Sequence, residues 1–244
     1  MGNPTRFRNG VTNNDSGVLS NLSTVDNTGL LIYQEDFLTY NSGDWTVVAG
    51  GGTSSSALST SIVGGALALT WNTSGVQSNT LKGGAFAFNP TTSSAAGSQF
   101  WFEAGLVLPS DTSAPTYVIG MVKGAPSAPS DGVYFTKSAA GTWNLVIKAA
   151  AASTTTIDTG VTPTNSARSS LGFYYDAKAT PTLYVYIDGV LRGTVGATGS
   201  YSTTGLNNLP ANTIQLNPSF QIGTAAGPLN IDYVTAACEV SGRV

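Results

Sequence analysis

The chain has 244 residues, of which 41% are hydrophobic and only 9% are charged, and its net charge is −3. This hydrophobic content is enough for a sizeable core, and the length fits one large domain with terminal segments. The ten basic residues are scattered, which argues against a nucleic-acid partner because phosphate contacts need a clustered basic face. With one cysteine and no apolar run of membrane-spanning length, the sequence predicts no internal disulfide and no membrane span.

Residues 1–29 predict an extended N-terminal arm. The segment is rich in Asn, Ser, Thr and Gly, and its isolated apolar residues follow no helical or strand period. Arg6, Phe7 and Arg8 are the candidate partner-contact residues of this arm, because Arg and aromatic side chains are enriched at interface cores. The alternative is a frayed terminus. The segment has no apolar region of the kind found in secretory signals, so we expect no secretion signal.

From Leu30 onward, short apolar runs alternate with clusters of Gly, Pro, Ser and Thr. Such spacing predicts an all-β sandwich or barrel over residues 30–240, followed by a short C-terminal tail at residues 241–244. No segment predicts a helix. The predicted strands lie near residues 31–37, 45–49, 57–63, 66–71, 85–88, 99–108, 117–123, 132–137, 143–149, 155–158, 169–176, 183–188, 190–195, 214–223 and 229–236.

Two tight hairpins are predicted. Asp188-Gly189 separates two apolar runs and tolerates the positive φ angles of a type I′ turn. In this hairpin Leu183, Val185 and Ile187 share the core face, because alternate strand residues point to the same side. The second predicted turn is Gly64-Gly65, between 57–63 and 66–71.

Few residues offer catalytic or metal-binding chemistry. The absence of histidine excludes Ser-His and Cys-His nucleophile systems. Cys238 is interpreted as a small buried residue. Four aspartates at predicted strand ends have two interpretations, calcium ligands or caps of local turns, and the second is favoured. They are Asp36, Asp44, Asp176 and Asp232. The sequence therefore predicts no catalytic residue, no cofactor and no metal site.

Aromatic residues alternate along several predicted strands. The run Phe100-Trp101-Phe102 and the pair Tyr184 and Tyr186 are examples. Half of these rings would fill the core and half would lie on the other face of a sheet. Rings on that face would either stack on sugars or pack against a covering strand or partner, and packing is the more frequent outcome.

Four segments resemble the concanavalin A-like jelly rolls, including laminin-G-like domains, in this order along the chain. The first is Glu35-Asp36-Phe37 with Asp44-Trp45, and the second is the run from Phe102 to Pro109. The third is 171–176 with 183–189, and the fourth is 231–234. The resemblance implies a jelly-roll β-sandwich of two antiparallel sheets.

The resemblance also includes family-sixteen glycoside hydrolases, but one segment departs from their pattern. Those enzymes carry a Glu-x-Asp-x-x-Glu strand soon after the strand that here ends at Pro109. In this chain the corresponding segment is Thr116–Lys123, which has no carboxylate. The departure predicts that the chain is not an enzyme.

The opening segment, residues 1–13, is similar to the start of structural proteins of tailed bacteriophages. This resemblance implies a capsid decoration (cement) protein on the head surface, made in the host bacterial cytoplasm. Its partners would be the major capsid protein and copies of itself, and it would stabilise the shell through arm and oligomer contacts. The alternative is a carbohydrate-binding module of a phage fibre or adhesion protein, with a glycan as its ligand.

Overall fold

The computed structural model describes residues 30–48, 55–71, 76–82, 86, 99–110, 116–137, 141–150, 153–177, 180–202, 204–210, 214–223 and 227–239. The predicted arm (residues 1–29, with Arg6, Phe7 and Arg8) and the tail (241–244) lie outside these residues, so that division of the chain stays a prediction. Among the described residues, no helix has the length and apolar character needed to cross a membrane.

The described residues form fifteen strands and two short 3-10 turns at Ser42–Asp44 and Gly205–Asn208. In chain order the strands are β1 (Leu30–Glu35), β2 (Trp45–Val48), β3 (Ser55–Leu58), β4 (Leu67–Thr70), β5 (Val76–Leu81), β6 (Phe100–Val107), β7 (Thr116–Lys123), β8 (Asp131–Lys137), β9 (Asn144–Ala149), β10 (Ser153–Asp158), β11 (Arg168–Asp176), β12 (Thr182–Ile187), β13 (Val190–Gly196), β14 (Asn217–Gly223) and β15 (Leu229–Glu239).

The strands build two antiparallel sheets that pack face to face. Sheet A has the order β13-β12-β11-β6-β15-β4-β3, with β1 also paired to β15. Sheet B has the order β10-β9-β8-β7-β14-β5-β2. The prediction of an all-β sandwich with two antiparallel sheets is confirmed.

The core fills the space between the sheets with alternate residues of each strand. Sheet A contributes Phe102 and Phe173, and sheet B contributes Phe135 and Phe220, all fully or almost fully buried. Because neighbouring strand residues point to opposite faces, every second residue of β6 and β11 lies on the outer face of sheet A. That outer face positions the candidate site.

The Asp188-Gly189 hairpin is confirmed. Ile187 pairs with Val190, and both turn residues have positive φ angles, 55° for Asp188 and 71° for Gly189. The predicted core residues of β12, which are Leu183, Val185 and Ile187, are each 0% exposed.

The second hairpin prediction is wrong in its boundaries. Strand β3 ends at Leu58, which pairs with Leu67, so Gly64 and Gly65 lie inside a longer loop. Both glycines do have positive φ angles. Val63, predicted in a strand, is almost fully exposed instead. It therefore buries no apolar surface that would stabilise it in a sheet.

Strand β5 has no counterpart among the predicted strands. Its interior is polar, with Gln77, Ser78 and Asn79, yet all three are buried. Gln77 and Asn79 are held by hydrogen bonds to Ser56 and Tyr40. A prediction based on apolar runs does not recognise a strand whose buried side chains are amides.

Candidate functional site

The outer face of sheet A carries ionisable groups and glycines at its centre. On β6, Phe102, Ala104 and Leu106 belong to the core, so Glu103 and Gly105 lie on the opposite face. The strand register places Gly172 of β11 beside Glu103. Interior glycines are unfavourable in strands and mark close approach of another group.

A β-bulge in β15 shapes the site. Ile231 pairs with Leu106 and Tyr233 pairs with the next residue, Gly105. Asp232 is therefore an extra residue of β15 with no counterpart in β6. Ile231 and Val234 both belong to the core, which leaves Asp232 and Tyr233 between them. Bulges re-aim side chains in this way and are frequent beside functional sites.

Tyr233 lies against the backbone of Gly105. A Cβ atom at Gly105 would be 2.2 Å from Cε1 of Tyr233, so only glycine leaves room for the ring. The hydroxyl group of Tyr233 donates a hydrogen bond of 2.7 Å to Oε1 of Glu103. One edge of the ring therefore lies over Gly105, and its hydroxyl group is fixed by the carboxyl group of Glu103.

Arg168 and Asp232 form an ion pair across the strand between them. Nη1 of Arg168 is 2.9 Å from Oδ2 of Asp232, and the two side chains are 63% and 8% exposed. Arg168 lies at the start of β11 and Asp232 in β15, so the pair spans β6. The exposed guanidinium keeps further N–H groups on its solvent side.

Asp188 completes the site from the turn after β12. Its Oδ1 accepts hydrogen bonds from the hydroxyl group of Ser169 and from the backbone N–H of Ser170, both 2.9 Å. The positive φ of Asp188 and the tight turn bring this carboxylate back over β11. An anchored, exposed carboxylate is an acceptor for ligand hydroxyl groups.

These side chains surround a shallow cavity of about 270 Å³. This volume lies just below the usual range for small-molecule sites, so the cavity has room for one small polar group of a ligand. We call it the Tyr233 cavity; its lining residues are Gly105, Leu106, Arg168, Ser169, Ser170, Asp188, Asp232 and Tyr233.

Glu103 has an unusual acidity. Burial raises the pKa of its carboxyl group from 4.5 to about 7, and the hydrogen bond from Tyr233 lowers it in part. A perturbed carboxyl group next to a cavity is a feature of functional sites. Near neutral pH this group exists in both protonation states and can either donate or accept a proton.

The outer aromatic residues of sheet A stack on one another. Trp101 stacks on Tyr174 at a centroid distance of 5.3 Å, and Tyr174 on Tyr184 at 5.6 Å. Both faces of the Tyr174 ring are therefore occupied, so this ring offers no free face to a sugar. Of the two interpretations of the alternating aromatics, packing applies to these three residues.

The aspartates considered as calcium ligands are not brought together. Asp232 lies inside β15 and not at a strand end, and its partner is Arg168. Asp44 lies in a 3-10 turn and Asp176 at the end of β11. No group of three or more acidic or cysteine side chains in the described part of the chain is placed to hold a metal ion. Cys238 is buried, as predicted.

The sequence interpretation did not identify Glu103, Arg168 or Tyr233 as a site. The available signal was the pair of glycines, Gly105 and Gly172, inside otherwise apolar strands. The bulge that turns Asp232 and Tyr233 to the same face has no signal of its own in the alternation pattern.

The outer face of sheet B has a different character. Its central strands β7, β8 and β14 carry no charged side chain on that face among the described residues, and it contains a buried apolar cluster. The cluster consists of Val118, Val122, Tyr134 and Val146.

No family model and no curated protein matches this chain. Solved structures are similar over most of its length. The carbohydrate recognition domain of Emp47p has a TM-score of 0.57 at 12% identity, covering 88% of this chain and 98% of that chain. Endo-1,3-β-glucanase from Streptomyces sioyaensis has a TM-score of 0.56 at 16% identity, covering 91% and 99%. Basic winged bean lectin, solved with Tn-antigen, has a TM-score of 0.53 at 12% identity, covering 87% and 100%.

The fold is a concanavalin A-like jelly roll. This confirms the predicted fold class, and the low identities establish the fold alone. The same fold occurs in a glucanase and in lectins.

The prediction that the chain is not an enzyme is therefore wrong as it was made. It rested on the carboxylate-free segment Thr116–Lys123 and on the absence of histidine, but a structure with this fold is an endo-1,3-β-glucanase. In this chain the carboxylates of Asp188 and Asp232 line the Tyr233 cavity, and the carboxyl group of Glu103 is bonded to the Tyr233 hydroxyl group. The missing carboxylates of β7 do not decide the question.

Proposed function

We propose that this chain is a carbohydrate-binding jelly roll whose ligand occupies the Tyr233 cavity. The observation that carries the proposal is the combination of the Tyr233 ring with the carboxylate of Asp188 and the exposed guanidinium of Arg168. Sugars present C–H surface to aromatic rings and hydroxyl groups to charged acceptors and donors. Sites of this kind pair apolar contact with a few fixed polar groups.

The architecture supports the proposal by keeping these groups in place. Tyr233 is fixed by Gly105 and Glu103, Arg168 by Asp232, and Asp188 by two hydrogen bonds. Groups that are already ordered lose less conformational entropy when a ligand binds.

A matched pair of arginine variants tests the proposal. Glycan-array screening followed by calorimetric titration measures the affinity of the parent, of Arg168→Gln and of Arg192→Gln, an exposed arginine of β13. We expect Arg168→Gln to weaken glycan binding at least tenfold and Arg192→Gln to leave it unchanged. Equal effects of the two variants, or no glycan bound by the parent, would refute the proposal. Reducing-end release in the same mixtures measures whether bound glycan is also hydrolysed.

A second candidate function is decoration of a tailed-phage virion, favoured by the resemblance of residues 1–13. The exposed Val190 and Leu191 at the tip of the β12–β13 hairpin are the kind of apolar surface that a subunit contact would cover. In this proposal the chain binds the major capsid protein and copies of itself at the head surface.

The full-length variant Arg6→Ala/Phe7→Ala/Arg8→Ala tests this second proposal. An arm that orders on assembly must make contacts along its length to offset roughly 1–2 kcal/mol of backbone entropy per residue. We expect the triple variant to lower self-association in sedimentation velocity without changing the thermal midpoint. Unchanged association, or a parent that is monomeric at all concentrations, would count against the decoration role.

A further inference from the structure

We infer that two copies of this chain pair through the outer edge of β2 (Trp45–Val48), so that sheet B of one copy continues into sheet B of the other. The contact lies on the side of the sandwich where sheet A ends at β3 and sheet B ends at β2. It depends neither on the Tyr233 cavity nor on the arm residues, so it stands or fails separately from both proposed functions.

Strands β2 and β3 lie on the same side of the sandwich. β3 faces β5, the neighbour of β2, because Nε2 of Gln77 donates a hydrogen bond of 2.6 Å to Oγ of Ser56. Among the described residues, β2 pairs only with β5, and β3 only with β4. Within this part of the chain, their outer backbone N–H and C=O groups are therefore available to a further strand.

The opposite side of the sandwich has cover over its terminal strands. Along β13, the backbone N–H of Tyr201 donates a hydrogen bond of 2.9 Å to the carbonyl oxygen of Thr194. Against β10 lies the 3-10 turn Gly205–Asn208, where Nδ2 of Asn208 donates a hydrogen bond of 2.7 Å to Oγ1 of Thr155. The two sides of the sandwich therefore treat their edges differently.

The side with β2 is also uncharged. No Asp, Glu, Lys or Arg occurs between Asp44 and Lys82, a segment that contains β2, β3, β4 and β5. On the opposite side, β13 carries Arg192 and β10 carries Asp158, both exposed. Charged side chains on edge strands oppose pairing with another chain, and β2 and β3 do not have this protection.

Exposed apolar side chains gather on the same side. With exposed fractions from 38% to 98%, they are Leu38, Val47, Val48, Leu58 and Val63. Val47 and Val48 are consecutive in β2, so they point to opposite faces of sheet B. A strand added beside β2 would therefore cover a valine on each face of the sheet.

A second copy of the chain fits this edge. An antiparallel pair of identical strands has a two-fold axis between them, so β2 can pair with β2 of another copy and make each contact twice. Like charges placed opposite each other would oppose such a pair, but these edges carry none. The net charge of −3 adds little repulsion between whole molecules.

Sedimentation velocity over a concentration series of the full-length chain tests the inference. We expect the parent to form a dimer. Thr46→Lys/Val48→Lys puts positive charge at two exposed positions of β2 and should weaken dimerisation at least tenfold. Thr154→Lys/Thr156→Lys changes two exposed positions of β10, at the opposite edge of sheet B, and should leave dimerisation unchanged.

Charge reversal makes the test specific to pairing between two copies of β2. Thr46→Glu/Val48→Glu should also dimerise at least tenfold more weakly than the parent. An equimolar mixture of the lysine and glutamate variants should form a mixed dimer at least tenfold more tightly than either variant alone, because opposite charges on paired strands attract. Recovery on mixing also excludes a folding defect as the cause of the loss.

A parent that is monomeric at every concentration would overturn the inference. A dimer that survives both charge variants of β2, or that the β10 variant weakens equally, would overturn it too. A dimer lost only in Arg6→Ala/Phe7→Ala/Arg8→Ala, or only in Leu191→Lys, would place the contact at the arm or at the β12–β13 hairpin instead. Glycan affinity should be the same in the parent and in the β2 variants, so failure of the parent to bind glycan would refute the proposed function and leave this inference standing.

Discussion

The outer faces of the two sheets differ although both belong to one sandwich. Sheet A presents the Arg168–Asp232 ion pair, the carboxyl groups of Glu103 and Asp188, and the Tyr233 ring over Gly105. The centre of sheet B presents valines, Tyr134 and uncharged polar side chains such as Gln221. Both inner faces are apolar, as packing requires. The difference shows that the jelly roll requires apolar side chains on the inner faces. The chemistry of each outer face depends on which residues happen to lie there.

The largest expected effect comes from adding a carboxylate to each outer face. Val122 of sheet B is 0% exposed within an apolar cluster, so Val122→Glu should cost about 3–5 kcal/mol of unfolding free energy for a buried, unpaired charge. Val107 of sheet A is partly buried and pairs with Arg168, so Val107→Glu should cost less than about 1.5 kcal/mol. Urea denaturation measures both. Equal costs would show that the two faces have the same electrostatic character.

The next effect concerns Glu103 and depends on pH. Because the folded-state pKa of this group is raised from 4.5 to about 7, the folded chain holds the proton more tightly than the unfolded chain. The stabilisation is complete below pH 4.5 and is lost as pH rises through 7. Glu103→Gln keeps the acceptor for Tyr233 and removes the titration. It should match the parent near pH 4 and exceed its unfolding free energy by roughly 2–3 kcal/mol at pH 8. A difference independent of pH would contradict the assignment.

A smaller effect distinguishes Gly105 of β6 from Gly172 of β11. Gly105→Val would displace the ring of Tyr233 and should cost about 1–3 kcal/mol of unfolding free energy. Gly172→Ala meets its nearest neighbour at 3.2 Å and should cost less. Thermal denaturation compares them, and in a Tyr233→Trp background the fluorescence of the new tryptophan reports whether the ring at this position is displaced. A Gly105→Val variant as stable as Gly172→Ala would show that Tyr233 does not depend on this glycine.

The sequence predicts the sandwich and the core face of β12 because alternation and turn chemistry are local. Leu183, Val185 and Ile187 follow a strict period, and Asp188-Gly189 fits only a few turn types. Strand β5 is missed because most of its buried residues are polar, and Gln77 and Asn79 bond to the distant residues Ser56 and Tyr40.

The site is missed for a related reason. Arg168 and Asp232 are far apart in sequence and meet only through the order of strands in sheet A. The bulge at Asp232 reverses the alternation that would have pointed Tyr233 into the core. Pairings between distant segments and register shifts are properties of the whole sheet and leave no local periodicity.

Mapping where a bound glycan contacts the chain tests the proposed carbohydrate-binding site most directly. A titration of the isotope-labelled protein with the tightest-binding glycan of the array screen, followed by amide NMR shifts, compares the two outer faces in one experiment. We expect the largest shifts on Gly105, Ser170, Asp188 and Tyr233, which line the Tyr233 cavity. Largest shifts on Val118, Tyr134 and Gln221 of sheet B would contradict it.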